Sequence, residues 1–159
     1  MENTFLSAAT ARVVPKPRFE LTSVEPKAYS GLMLMHKQLS QSGLSLTHWD
    51  LINVRTSQLN GCSYCLMTHT QEALAHGETE QRLHALAAWQ ETSYFTAAER
   101  AILAFTEEVT LIARHHVSDA VYGEAVALLG ESYLAQVLLA VVAMNAWNRL
   151  GIAQRKVPA

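Results

Sequence analysis

Three residues of reactive type stand close together in the stretch Asn60-Gly-Cys62-Ser-Tyr-Cys65-Leu-Met-Thr-His69. Cys62 and Cys65 are three apart, and Cys65 and His69 are four apart. On a helix advancing about 100° per residue, the three side chains share one narrow stripe, each within reach of the next. The preceding Asn60-Gly61 is a stop signal, which puts Cys62 at the start of the new helix. Unpaired backbone N–H groups and the macrodipole favour a thiolate there. A lowered thiol pKa is what a reactive cysteine requires, and a second thiol one turn away can resolve a sulfenic acid or a mixed disulfide.

Three readings compete for this constellation. A redox-active dithiol with an assisting histidine uses every member of it. A zinc site uses the same residue types, but there is no second cysteine pair. Scattered histidines such as His48 or His76 would have to complete the tetrahedron. A pair of inert core cysteines is the third reading, since free cysteine is among the most buried residue types. The spacing to His69 argues against that one.

The elements that must position the stripe are helices. Three of the four prolines, Pro15, Pro17 and Pro26, lie early and the fourth is Pro158, so residues 27–156 are free of the strongest helix breaker. Strand-like alternation is absent there. Capping and stop signals bracket seven helices: about 27–41, 47–59 with Thr47 as cap, 62–76, 80–89 capped by Thr79, 97–114 opened by the capping box Thr96-Ala-Ala-Glu99, 119–129 after Ser118, and 131–150. The fold class is all-α, a single domain over 27–156, with an irregular N-terminal arm over 1–26 that is either loose or wrapped on a partner subunit.

Composition excludes several functions. Half of the 159 residues are hydrophobic and 16% are charged, against about 25% charged in an average soluble domain. Disorder is excluded, and thin charge points to surface hidden in an oligomer. A net charge of −2 gives no electrostatic reason for nucleic acid or an anionic membrane as partner. The first twenty residues do not read as a secretory signal, and the most apolar stretch, 133–147, is broken by Gln136 and Asn145 and too short to span a bilayer. A cytoplasmic protein is expected, its two thiols kept for reactivity rather than for a scaffold.

The residues from Arg55 to Thr70 around the motif, the Gly77 stop after Glu72-Ala-Leu-Ala, the segment Phe95-Thr-Ala-Ala-Glu-Arg-Ala and the tail Asn145-Ala-Trp-Asn-Arg-Leu together resemble the AhpD-like alkylhydroperoxidase branch of the carboxymuconolactone decarboxylase family. The similarity covers about residues 30–155. It implies a thiol-dependent hydroperoxide reductase needing neither metal nor other cofactor, with Cys65 attacking the peroxide, Cys62 forming the disulfide with it, and His69 relaying protons. It implies an external dithiol or a lipoylated protein as reductant, and a homo-oligomer (dimer, trimer or hexamer). Family members commonly carry a glutamate twelve residues before the first cysteine; here that position is Asp50, one methylene shorter. A water bridge would replace direct contact with His69 or Cys65. Asp50 also suits a purely structural role near a helix N-terminus. The decarboxylase branch typically lacks the paired cysteines, so their presence argues against lactone decarboxylation.

The cysteines' own physics divides their roles less cleanly. Cys65 has the proximal histidine, while Cys62 has the better position on the helix dipole. Elsewhere, His48 is expected at the surface, Tyr64 beside the approach to the motif, Met144 and Trp147 in core or subunit interface, His115-His116 in solvent, and Arg149 with Asn145 and Asn148 in a structural polar group.

Overall fold

A computed structural model describes residues 15–158; residues 1–14 of the expected arm, and Ala159, lie outside the described residues. The described chain is all-α. Its elements are α1 (Leu21–Val24), α2 (Pro26–Ser40), α3 (Leu46–Asn60), α4 (Ser63–Ala75), α5 (Glu80–Ala85), a 3₁₀ segment (Leu86–Glu91), α6 (Ala97–Thr110), α7 (Asp119–Leu129) and α8 (Glu131–Gln154).

α3 is the central element, packed against α4, α6 and α8. Trp49, Leu51, Ile52 and Val54 are buried around its circumference, together with Asp50, Asn53, Thr56 and Ser57. A helix enclosed on nearly all sides needs no polar face, which is why α3 shows no amphipathic stripe. Two apolar clusters flank it. One joins Trp49 and Ile52 to Ile102, Phe105, Val137 and Val141 of α6 and α8. The other joins Leu51 and Val54 to Leu83, Leu86, Trp89 and Leu103.

Several boundaries follow their signals. Gly61 ends α3 in the left-handed region at φ 68°, and Gly77 follows α4 at φ 101°. Thr96 and Glu99 close a reciprocal capping box at the start of α6. Other boundaries differ from expectation. Ser45, not Thr47, caps α3, its Oγ accepting from the His48 N–H at 3.2 Å. The expected 80–89 helix breaks, because Ala88 leaves helical geometry (φ −128°, ψ 37°). The break accompanies the inward seating of Trp89, whose indole N–H donates to Glu107 at 2.7 Å while Arg100 stacks on the ring. The expected 97–114 helix stops at Thr110.

Two differences concern the ends of the chain. The part of the arm that is described is not structureless: it forms α1, and α2 begins at Pro26 itself, a proline in the first turn where its missing N–H costs nothing. The arm is pinned to the C-terminal end of α8 by Arg18 N–H to Gln154 O at 3.0 Å and Leu21 N–H to the Gln154 side chain at 2.8 Å. That extra short helix makes eight α-helices among the described residues rather than seven. α8 in turn runs through Gly151 to Gln154 instead of stopping at Leu150.

Asn148 ties α8 to the end of α3. It is fully buried, donates to Ser57 Oγ at 3.1 Å, and accepts from Asn60 Nδ2 at 2.9 Å. Asn60 also donates to Asn145 at 3.0 Å, and Arg149 donates to the same Asn145 oxygen at 2.7 Å, so the polar stripe on α8 is a structural hydrogen-bond group. Replacing Asn148 by alanine takes the partner from the buried Ser57 hydroxyl and one of two acceptors from the half-buried Asn60 amide. Asn148→Ala is expected to lower the unfolding free energy by roughly 2 kcal/mol in urea titration; a loss under about 0.5 kcal/mol, the range of inert surface changes, would show the tie to be dispensable.

Candidate active site

Cys62 is the N-cap of α4, and its Sγ accepts from the Cys65 N–H at 3.4 Å. The two cysteines are joined as a disulfide with Cα atoms 5.4 Å apart, inside the usual span for such a bridge. Both are buried, at 2% and 5% exposure. Behind them lies the backbone of α8. A Cβ placed on Gly151 would stand 3.3 Å from Cys62 Sγ and 3.5 Å from Cys65 Sγ. Glycine inside a helix costs about 1 kcal/mol relative to alanine, and here it gives the two sulfurs room. The expected last helix ends near Leu150, whereas Gly151 lies inside α8 at this close approach.

Cys65 faces a cavity of about 290 Å³ whose wall includes Tyr29, Met33, His36, Tyr64, His69 and Trp147. Tyr64 therefore lies beside the motif as expected. Trp147 does not stay in the core: it packs edge-on against Tyr29 (centroids 5.5 Å) and lines the cavity. His36 packs edge-on between Trp49 and Trp147, with centroids 5.2 and 6.1 Å away. Burial pulls the His36 pKa below its ordinary value, and the nearby His69 adds to the effect. His36 is thus a second imidazole at the site, and nothing in the spacing of the motif points to it.

His69 is held from behind. Its Nδ1 and Glu72 Oε2 are 2.7 Å apart. The hydrogen bond from His69 holds the Glu72 carboxyl below the usual carboxylate range, against the opposing effect of burial. With Nδ1 as donor to this carboxylate, Nε2 is the nitrogen left to exchange a proton in the cavity.

Asp50 is placed differently from expectation. It is 2% exposed, and its Oδ2 lies 2.9 Å from His76 Nδ1; among the described residues it makes no hydrogen bond to His69 or to either cysteine. The carboxylate on His69 is Glu72 instead. Glu72 and His76 continue the α4 stripe, so that positions 62, 65, 69, 72 and 76 alternate steps of three and four. Extending the same periodicity by two members finds both. His48 also departs from a free surface position: its Nδ1 is 2.6 Å from the Tyr133 hydroxyl, away from the cavity. His115 and His116 are exposed, as expected. Among the described residues no three His, Cys, Asp or Glu side chains converge to hold a metal ion.

The Carboxymuconolactone decarboxylase family profile matches residues 26–108, which contain the cysteines, His69 and Asp50. A Bacillus subtilis (strain 168) protein, the uncharacterized YdfG, is 35% identical over 136 residues, covering 86% of this chain and 92% of its own. The chain belongs to the carboxymuconolactone decarboxylase family. Its AhpD-like branch is the one indicated by structure. A protein of unknown function from Agrobacterium tumefaciens, ATU0492, proposed there to be an antioxidant defence protein AhpD, superposes with a TM-score of 0.88. It is 28% identical, covering 91% of this chain and 99% of that one. The debrominase Bmp8 shares the fold at a TM-score of 0.76 and 17% identity, covering 87% of this chain and 74% of that one. That likeness carries the fold alone.

Burial pushes the Asp50 carboxyl above its ordinary value of 3.8, with the hydrogen bond from His76 opposing. A raised acid makes its full contribution below the unfolded-state pKa and loses it as pH rises through the folded-state pKa. Asp50→Asn keeps an oxygen for His76 but never ionises. Its melting temperature should equal or exceed that of the parent at pH 7, the two converging below pH 3.8. A variant that is less stable at pH 7 and recovers in acid would mean that the pair with His76 outweighs burial.

Proposed function

We propose that this protein is a thiol-dependent hydroperoxide reductase in which Cys65 is the attacking thiol. The observation that carries the reading is Cys65 in the first turn of α4, opening on an apolar cavity beside a histidine already oriented by a carboxylate. In the reduced protein, the Cys65 thiolate attacks the terminal oxygen of a hydroperoxide. The O–O bond breaks, and protonation through His69 spares the leaving group from departing as a bare alkoxide. The resulting sulfenic acid condenses with the Cys62 thiol and releases water. An external dithiol, free or as a lipoyl group, then reduces the Cys62–Cys65 disulfide by exchange.

Glu72 is the positioning residue for His69 in this scheme. Asp50 acts at one remove, through His76 on the same face of α4. The aromatic wall of Tyr29, His36 and Trp147 favours an organic hydroperoxide over hydrogen peroxide. The chain also works as a homo-oligomer: Leu138, Leu139 and Val142 of α8, with Ile112 and Tyr122 beside them, leave an apolar surface that a second copy would cover.

The test is a pair of cysteine variants read with peroxide. Cys65→Ser should abolish peroxide consumption. Cys62→Ser should give a single turnover ending in a sulfenic acid on Cys65, trappable with a dimedone-type reagent and prone to over-oxidation. Glu72→Gln should slow turnover roughly tenfold while the disulfide still forms. Trapping on Cys62 in the Cys65→Ser variant, and none in the converse, would reverse the assignment. Stoichiometric zinc in the purified protein, or activity surviving loss of both cysteines, would overturn the reading.

A further inference from the structure

The two sulfurs of the disulfide open on different surroundings. Cys65 faces the aromatic cavity described above, whereas Cys62 lies on the wall of a separate recess of about 400 Å³ between the described start of the arm and the end of α8. Arg18, Arg155 and Lys156 line that recess, and among the described residues none of its lining is acidic. Gly151 belongs to both walls, and so does Lys156. Glu20 lies 3.5 Å from Lys156 and offsets one of the three cations. The Arg18 guanidinium donates to the Ala153 carbonyl at 3.0 Å, which satisfies a donor without cancelling its charge. In a chain of net charge −2, this is a local excess of positive charge directly at a reactive sulfur.

Arg155 makes the arrangement pointed. It is the non-glycine residue with positive φ among the described residues, at 56°, while the other positive φ values belong to Gly61, Gly77 and Gly130. It follows the end of α8, the position that glycine fills at lower conformational cost. Cations at a helix C-terminus also complement its dipole, but Arg18 and Lys156 serve that end already. A large cation held in strained backbone at a cavity wall is the pattern of a functional constraint.

We propose that the reductant attacks Cys62, and that the Arg18–Arg155–Lys156 recess selects thiols carrying a carboxylate or phosphate. The inference rests on the reading of Cys62 and Cys65 as a reversible dithiol. A reductant thiolate bonds to Cys62 Sγ, the Cys62–Cys65 bond breaks, and the electron pair leaves on Cys65 as thiolate. Cys65 is the leaving group because His69 lines the same cavity and can supply its anion with a proton, a partner that the Cys62 recess lacks. The second thiol of the reductant then attacks its own mixed disulfide, releasing the Cys62 thiolate and an oxidised, cyclic reductant. The peroxide and the reductant thus approach opposite sulfurs.

The test compares two reductants differing in one remote charge. Stopped-flow reduction of the oxidised full-length protein by dihydrolipoate should be roughly tenfold faster than by dihydrolipoamide at low ionic strength. The ratio should fall toward one near 0.5 M salt, where the screening length is only about 4 Å. Arg155→Gly should also bring the ratio toward one, without lowering the melting temperature, since it relieves a left-handed arginine. Brief reaction with 3-mercaptopropionate, quenched with excess N-ethylmaleimide and followed by peptide mapping, should place the adduct on Cys62 and the maleimide on Cys65. Equal rates for the two dithiols, or an adduct on Cys65, overturn the inference while leaving the dithiol reading intact. Reduction by neither reagent overturns both.

Discussion

The packing of α8 against the start of α4, sulfur against glycine, is the contact on which the rest of the site depends. Both cysteine sulfurs lie where a Cβ on Gly151 would crowd them. Even alanine there would make Cys62 Sγ give by a few tenths of an ångström, and a longer side chain would need more. α8 is in turn fixed to α3 by Asn148, which spans to Ser57 and Asn60 just before the cysteines. Moving α8 would therefore disturb the loop that aims Cys62 as well as the walls on either side. A core polar residue and a helical glycine, each locally unfavourable, are both explained by the one requirement of bringing backbone close to a reactive pair.

The same contact separates the two faces of the disulfide. On one side, aromatic rings of α2 and α8 line the cavity on which Cys65 opens. On the other, the end of α8 and the described part of the arm gather cations near Cys62. A disulfide formed by adjacent turns of one helix would otherwise present both sulfurs to the same solvent. With Gly151 between the two recesses, Cys62 and Cys65 border different surroundings although their sulfurs are directly bonded.

Local signals carry much of this in the sequence. Asn60-Gly61, the Thr96 capping box and Ser118 mark their boundaries because each acts over three or four residues. The spacing of Cys62, Cys65 and His69 places them on one face of α4, and continuing it would have reached Glu72 and His76. What stays hidden depends on contacts made across the fold. Asp50 reads as a partner of the motif from its distance along the chain, but the crossing of α3 and α4 brings it to His76 instead. His36 and Trp147 come from α2 and α8, and only their meeting over Cys65 gives them a place at the site. The last helix runs past its expected end near Leu150, and the place of Gly151 against the two sulfurs depends on the packing of α8 on α4.

The division between legible and hidden residues follows the division between reaction and selection. The residues proposed to exchange electrons and protons, Cys62, Cys65 and His69, share one helix, whose spacing supplies fixed separations of a few ångströms. The groups proposed to sort incoming molecules need only reach the mouths of the two recesses, so they are drawn from whichever elements pass there. Those elements are α2, the arm and the two ends of α8's last turns. A fold can therefore keep its dithiol stripe and exchange one substrate for another by changing residues far away in sequence.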